Sequence, residues 1–251
     1  MISCVIPTFE NRDMVAACLA SACRQTGVDV EIIVTDDSRT DIIADLTRET
    51  AARHPNVRYE VGPRSGNPVD NWNHGLEHAR HDLRVVLHQD ETLLDPTYLN
   101  RAVRALARSK APATVARTRV TGVTRPSRFG LVAPVARRLP RPAWWLPVVN
   151  WIGPTAAFVF RGPHRFDPSF VQLVDVEFYG RVLAGKRPIL LGDECVGSLG
   201  HHPDQISARI DPIALARQEL ADLATRSPAA ISPLQHRLAR LAIRLRAGRR
   251  S

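Results

Sequence analysis

Three short apolar runs in the first ninety residues constrain this chain more than any other feature. Ser3-Cys4-Val5-Ile6 runs into Pro7-Thr8, Glu31-Ile32-Ile33-Val34 runs into Asp36-Asp37, and Arg84-Val85-Val86-Leu87 runs into His88-Gln89-Asp90-Glu91. Runs this short and this rich in β-branched residues, separated by helical patterns, predict buried parallel strands. Open parallel sheets bind ligands outside the carboxyl ends of their strands, so the polar endings are delivered to one edge. Asp36, Asp37, Asp90 and Glu91 gathered there repel one another. A divalent cation held against a phosphorylated ligand relieves such repulsion, and metal-assisted nucleotide chemistry is the leading expectation.

Between the runs, Met14, Val15, Cys18, Leu19 and Ala22 recur at helical spacing, with Gly27 as the stop before the next strand. Residues 41–53 predict a second helix, 57–61 an edge strand, 69–80 a third helix and 83–87 another strand. Asp95-Pro96 opens a further helix with Leu99, Val103 and Leu106 on one face. This alternation predicts a doubly wound α/β sheet with helices on both faces. From Pro126 to Pro147 prolines, arginines and Trp144-Trp145 follow no period, which reads as a loop. A strand at 156–160, a helix near 175–184, a strand at 188–191, a polar turn containing His201-His202-Pro203-Asp204 and two closing helices complete the expectation.

The 251 residues suit one α/β domain with additions. No apolar run approaches the ~18 residues that span a bilayer, and the chain opens on a strand rather than a leader pattern. Cys4, Cys18, Cys23 and Cys195 lack zinc-site spacing. A cytoplasmic protein is therefore expected. The formal charge of +9 suggests nucleic acid until it is located: Arg237, Arg240, Arg244, Arg246, Arg249 and Arg250 lie in the last twenty residues, where no acid occurs. A body so mildly basic argues against nucleic acid as a partner. Leu234, Leu238, Leu241 and Leu245 share a face of that tail, which either docks on the domain or lies on an anionic membrane surface.

Val5-Ile6-Pro7-Thr8-Phe9-Glu10-Asn11, Val34-Thr35-Asp36-Asp37-Ser38, Asn71-Trp72-Asn73, Leu87-His88-Gln89-Asp90-Glu91 and Val174-Asp175-Val176-Glu177-Phe178 appear in an order that resembles family 2 nucleotide-sugar glycosyltransferases of the GT-A fold. The resemblance runs from about residue 2 to 187. It implies a GT-A domain over 1–228, with a nucleotide-binding half at about 1–110 and an acceptor-side half at about 111–228, followed by a basic amphipathic tail at 229–251. It implies Mg²⁺ or Mn²⁺ and a nucleoside diphosphate sugar donor, UDP or dTDP favoured because a carboxylate suits an imide N–H. Carried across, Pro7, Thr8 and Glu10 line the base and ribose, Asp36 or Asp37 accepts from the base, and Asn71 sits beside the sugar phosphate. His88-Gln89-Asp90-Glu91 stands where the family has its Asp-x-Asp motif, so either Asp90 or Glu91 grips the metal, with His202 as a further ligand. Trp72 stands where relatives often carry arginine, and it reads equally as core.

The same resemblance makes Asp175 the general base, with Glu177 second. The macrodipole at a helix start favours the charged carboxylate, which would keep Asp175 ionised and weakly basic. An ordinary helix N-cap is the alternative for Asp175. Trp144, Trp145 and Trp151 are expected either to wall the acceptor side, glycan or lipid-linked, or to anchor a loop. Two other functions compete. A sugar-phosphate nucleotidyltransferase needs a glycine-rich loop after the first strand, and Pro7-Thr8-Phe9-Glu10-Asn11 has no glycine. A non-catalytic nucleotide-binding or membrane-associated protein is suggested by the altered metal motif, but not by the retained acids.

Overall fold

β1 (Ile2–Thr8) and β2 (Val30–Asp36) are buried along their whole length, as strands covered on both faces must be. The computed structural model describes residues 1–121, 146, 150–200, 212–226 and 236–241. Within them, the elements after β1 are α1 (Arg12–Cys23), β2, α2 (Ile42–Ala51), β3 (Val57–Val61), α3 (Pro68–Glu77), β4 (Leu83–Val86), β5 (Glu91–Leu93), α4 (Tyr98–Ala107) and β6 (Ala113–Thr121). A 3₁₀ turn (Thr155–Ala157), β7 (Phe158–Arg161), α5 (Val174–Leu183), β8 (Ile189–Leu199) and α6 (Pro212–Arg226) follow.

The strands form one sheet in the order β3-β2-β1-β4-β7-β6-β8-β5. β1 pairs in parallel with both β2 and β4, and β2 in parallel with β3. The chain thus winds one way from β1 through β2 to β3 and then returns to β1's other side with β4. That reversal opens a crevice at the carboxyl ends of β1 and β4. The sheet's two faces carry separate cores. Ile2, Cys4 and Ile6 point into one with α1 residues Val15, Cys18 and Leu19; Val5 points into the other with Leu76, Phe158, Phe178 and Tyr179.

Helix starts follow their capping residues. The Asn11 side chain accepts from Met14 N–H at 3.1 Å, and Asn67 accepts from Val69 N–H at 3.0 Å with Pro68 in the first turn. The expected helix opening at Asp95-Pro96 begins instead at Tyr98. Asp95 Oδ1 closes a turn on Thr97 N–H at 2.8 Å, and Pro96 C=O is taken by Thr26 N–H. Three strands depart from expectation. β5 occupies part of the expected metal loop, β6 was not anticipated, and β8 runs on to Leu199 rather than stopping near Leu191. β6 and β8 pair in parallel with register shifts, and β5 closes antiparallel on β8.

The expected loop at Pro126–Pro147 falls almost wholly outside the described residues, of which Leu146 is buried in the second core. In the tail, Leu234 and Leu245 also lie outside. Ala239 is the buried position of the described stretch 236–241, while Leu241 is 51% exposed, so the leucine face is not uniformly docked. Among the described residues no helix is long and apolar enough to cross a membrane.

Candidate active site

At the reversal point the backbone leaves β1 in a conformation fixed from both sides. Phe9 N–H donates to Gln89 Oε1 at 2.8 Å, bridging the ends of β1 and β4. Glu10 has φ 57°, a left-handed conformation that costs a non-glycine residue on the order of 1 kcal/mol. It is held there by Glu10 N–H to Ser38 Oγ at 2.7 Å and by its carboxylate accepting from Arg39 N–H at 2.9 Å. Glu10 is therefore exposed but turned onto the β2 turn, while Pro7 and Thr8 are buried within β1. Phe9 is 49% exposed at the rim, a position the sequence did not single out. An aromatic residue directly after a buried strand end was the available signal.

The paired aspartates after β2 divide their work. Asp36 is fully buried; its Oδ1 accepts from Thr8 and Ser38 hydroxyls and from Ser38 N–H, and its Oδ2 accepts from Tyr59 hydroxyl at 3.0 Å. Asp36 is spent on the fold. Asp37 is half-buried and accepts from Arg64 N–H at 2.9 Å. Burial pushes its carboxyl up, and Asp36 adds to the rise against the Arg64 amide. Of the two, Asp37 is the carboxylate with capacity at the rim.

Asn71 was expected beside the sugar phosphate, yet its amide is committed beneath the rim. Its Nδ2 donates to the carbonyls of Thr8 at 3.3 Å and Thr35 at 3.1 Å, and its Oδ1 accepts from Thr35 hydroxyl at 2.6 Å. Both amide hydrogens are used, so Asn71 ties β1 to β2. Gly62 makes this crowding possible. A Cβ there would lie 2.2 Å from Asp37 Oδ1 and 2.5 Å from Asn71 Oδ1.

The altered metal motif resolves in a similar way. Glu91 is 3% exposed, and its carboxylate accepts from Thr155 N–H at 3.1 Å, Ala156 N–H at 3.1 Å, His88 N–H at 3.0 Å and Thr155 hydroxyl at 3.3 Å. Burial, reinforced by Asp90, still pushes its carboxyl well up. Glu91 thus closes the turn onto the segment preceding β7, its carboxylate engaged by four protein donors and turned away from the rim where a metal ligand was expected. Asp90 is half-buried beside it. His88 rests on Trp72 with centroids 4.4 Å apart, and burial lowers its proton affinity despite Asp90. Trp72 continues edge-on to Phe166 at 5.3 Å, so its place is in a packed aromatic column.

Asp175 comes to the same place from α5. The N-cap of α5 is Leu173, which excludes the capping reading for Asp175. Its Oδ1 is sealed from solvent and has no hydrogen-bond partner among the described residues. Burial first, and then the charge of Asp90, raise Asp175 from 3.8 to about 7. The carboxyl is raised rather than lowered as the helix position alone implies: desolvation and a like charge outweigh the helix dipole, whose influence is on the order of 0.3–1 kcal/mol. Glu177, the second candidate, is 7% exposed and paired with Arg181 at 2.7 Å on the same helix. Trp151 packs against the second core. His201, His202, Trp144 and Trp145 lie outside the described residues.

The acids at the strand ends are therefore not equivalent. Asp36 and Glu91 are buried and engaged by protein donors, Asp37 and Asp90 are half-buried, and the charge of Asp90 adds to the rise in Asp175. Among the described residues no three acids, histidines or cysteines form a closed cation cage. The donor set fits a hard cation shared with a ligand, since Mg²⁺-type ions take one or two carboxylates and complete their shell with phosphate oxygens and water. Asp90 is the side chain that would hold it.

Known proteins were compared with this architecture. The model of glycosyl transferase family 2 matches residues 3–162. An uncharacterized protein of Mycobacterium tuberculosis (strain CDC 1551 / Oshkosh) is 32% identical over 202 residues, 73% of this chain and 62% of its own length. Among solved structures, the mannosyltransferase PcManGT from Pyrobaculum calidifontis, in complex with GDP-Man and Mn2+, superposes with a TM-score of 0.68 at 19% identity, over 98% of this chain and 75% of its own. S. aureus TarS 1-349 with UDP-GlcNAc gives 0.67 at 13% identity over 90% and 67%. Glucosyl-3-phosphoglycerate synthase from Mycobacterium tuberculosis, with Mn2+, UDP and glucosyl-3-phosphoglycerate, gives 0.55 at 16% over 90% and 80%. The chain spans 62% of the curated relative and 40% of the longer S. aureus TarS chain. At these identities the structures establish a shared fold, and the sequence match establishes kinship: the chain belongs to glycosyl transferase family 2 and is built on the GT-A fold.

Proposed function

We propose that the chain transfers a sugar from a nucleoside diphosphate to a hydroxyl acceptor, with Asp175 as general base. The observation that carries this reading is the sealed Asp175 Oδ1, which has no hydrogen-bond partner among the described residues and whose burial near Asp90 raises the carboxyl to about 7. A base with that affinity takes a proton effectively near neutral pH. As the acceptor oxygen attacks the anomeric carbon, its proton passes to Asp175, and the bond from that carbon to the diphosphate oxygen breaks. Base and leaving group on opposite sides of the carbon give inversion. A divalent cation, Mg²⁺ or Mn²⁺, neutralises charge developing on the diphosphate when bound. Asp90 would hold it, and His202 is a further ligand in this reading. Leu199 N–H donates to Asp90 C=O at 3.1 Å, so β8, from which the chain runs on to His202, ends beside Asp90.

For the donor, Asp37 accepts from the imide N–H of uracil or thymine, and the open face of Phe9 takes the base ring. Pro7, Thr8, Glu10, Asp36 and Asn71 shape the rim beneath. The complexes of related folds with UDP-GlcNAc, GDP-Man and Mn2+ support a nucleotide sugar and a divalent ion. The acceptor is a glycan or a lipid-linked hydroxyl, and the arginine-rich tail suits contact with an anionic membrane face from the cytoplasm. A thermal-shift screen of UDP-, dTDP- and GDP-sugars with Mg²⁺ or Mn²⁺ tests the donor, because selective binding raises apparent stability. Asp175→Asn should abolish transfer and keep donor binding; full turnover in that variant removes Asp175 from the mechanism.

A further inference from the structure

The family match ends at residue 162, so the helix carrying Asp175 and the α6 residues that contact the segment before it lie beyond it. The N-terminus of α5 is capped in an unusual way. Its N-cap residue Leu173 offers no side-chain oxygen, and no side-chain cap bond is made locally. The acceptor comes from another helix. Glu219, midway along α6, is 3% exposed and accepts from Val171 N–H at 2.7 Å and Gln172 N–H at 3.2 Å through Oε1. Through Oε2 it accepts from Gln172 N–H at 3.0 Å and Leu173 N–H at 2.7 Å. One carboxylate thus gathers three successive amides directly before the helix that presents Asp175. No cation pairs with Glu219 among the described salt bridges; its partners are the three backbone amides.

The neighbours of Glu219 on α6 anchor the contact. Leu220 is fully buried, and Leu223 is 2% exposed within the core that also contains Phe170, Val174 and Phe178. Val171, by contrast, is 42% exposed, so the 171–173 segment has little apolar packing of its own at its start. Its conformation depends on Glu219. Two residues after the last clamped amide comes Asp175, whose Oδ1 must stay in a sealed position beside Asp90. A displacement of about 1 Å at a reacting group can cost on the order of a hundredfold in rate.

We infer that Glu219 is a positioning residue for Asp175: α6 reaches back to cap the catalytic helix and is part of the transferase machinery. This rests on the proposed transfer reaction. The test measures slow nucleoside diphosphate release with water as acceptor, using the donor found by thermal shift, together with donor binding by calorimetry and amide hydrogen exchange. Glu219→Gln, which turns an amide donor toward backbone N–H groups, should lower kcat by about tenfold or more while KM and Kd stay within about twofold. Glu219→Asp, which keeps the charge, should recover part of the rate. Exchange at 171–173 should speed up in Glu219→Gln. Leu223→Ala is the control for loosened packing: it should lower Tm at least as much with a smaller loss of kcat. Unchanged kcat in Glu219→Gln, or equal losses in kcat at matched Tm for the two variants, overturns the inference. Failure of the wild-type chain to release nucleotide from any bound donor would instead count against the transfer reaction itself, and the exchange result would still decide whether Glu219 clamps 171–173.

Discussion

Replacing Asp175 by Asn should stabilise the fold, and should do so more strongly as pH rises. A carboxyl whose proton affinity is raised in the folded state, here from 3.8 to about 7, binds protons more tightly folded than unfolded across that interval. Stability therefore falls as pH climbs from about 4 to 7, and above 7 the full penalty is present. At about 1.4 kcal/mol per pH unit, the upper bound is about 4 kcal/mol. Asp175 is partly exposed as a residue, and Asn leaves a polar atom in the same sealed position, so a gain of about 1–3 kcal/mol between pH 5 and pH 8.5 is the working expectation. The assay is urea unfolding of both proteins at the two pH values, with chelator present so that no cation occupies the rim. Other titrating groups cancel in the comparison. An Asp175 that served as an ionised cap would behave oppositely: the variant would lose stability, most at high pH. A variant no more stable at pH 8.5 than at pH 5 refutes the account of Asp175 as a desolvated base.

Asp90→Asn should remove the dependence of donor binding on Mn²⁺ and lower the proton affinity of Asp175, readable by calorimetry and by carboxyl NMR; persisting metal dependence would relocate the ligand. Glu91→Ala strands the N–H groups of Thr155, Ala156 and His88, and should cost about 2–5 kcal/mol in chemical denaturation, whereas a solvated metal ligand would cost almost nothing. Gly62→Ala pushes against Asp37 and Asn71, so donor KM should rise about tenfold or more with little change in kcat; an unaltered KM would show that this corner does not meet the nucleotide.

The parallel half of the fold was legible because β1, β2 and β4 are apolar runs closed by polar turns, a pattern that burial on both faces imposes directly. β6 was not legible. Its second half, Arg117 to Thr121, is largely exposed, and it pairs with the polar centre of β8 where Gly192, Asp193 and Glu194 interrupt the apolar pattern. Strands that leave the core lose the alternation by which strands are recognised. The site shows the same division. Asp90 and Asp175 are named only through the order of motifs in the family resemblance, and their roles stand as proposals. The fate of Asp36 and Glu91 could not be read from the sequence, because it is decided by Tyr59, Thr155 and Ala156, donors that reach them only after folding. The sign of Asp175's shift was also hidden, since a helix position reveals a dipole but not the desolvation that outweighs it.

The hydroxyls of Thr8, Ser38 and Tyr59 around Asp36, with Asn71 stitching β1 to β2 below, brace this edge of the sheet, where the donor nucleotide is proposed to bind. A nucleotide meeting such a socket forfeits little conformational freedom on the protein's side, so its grip is not eroded by the cost of freezing a mobile loop.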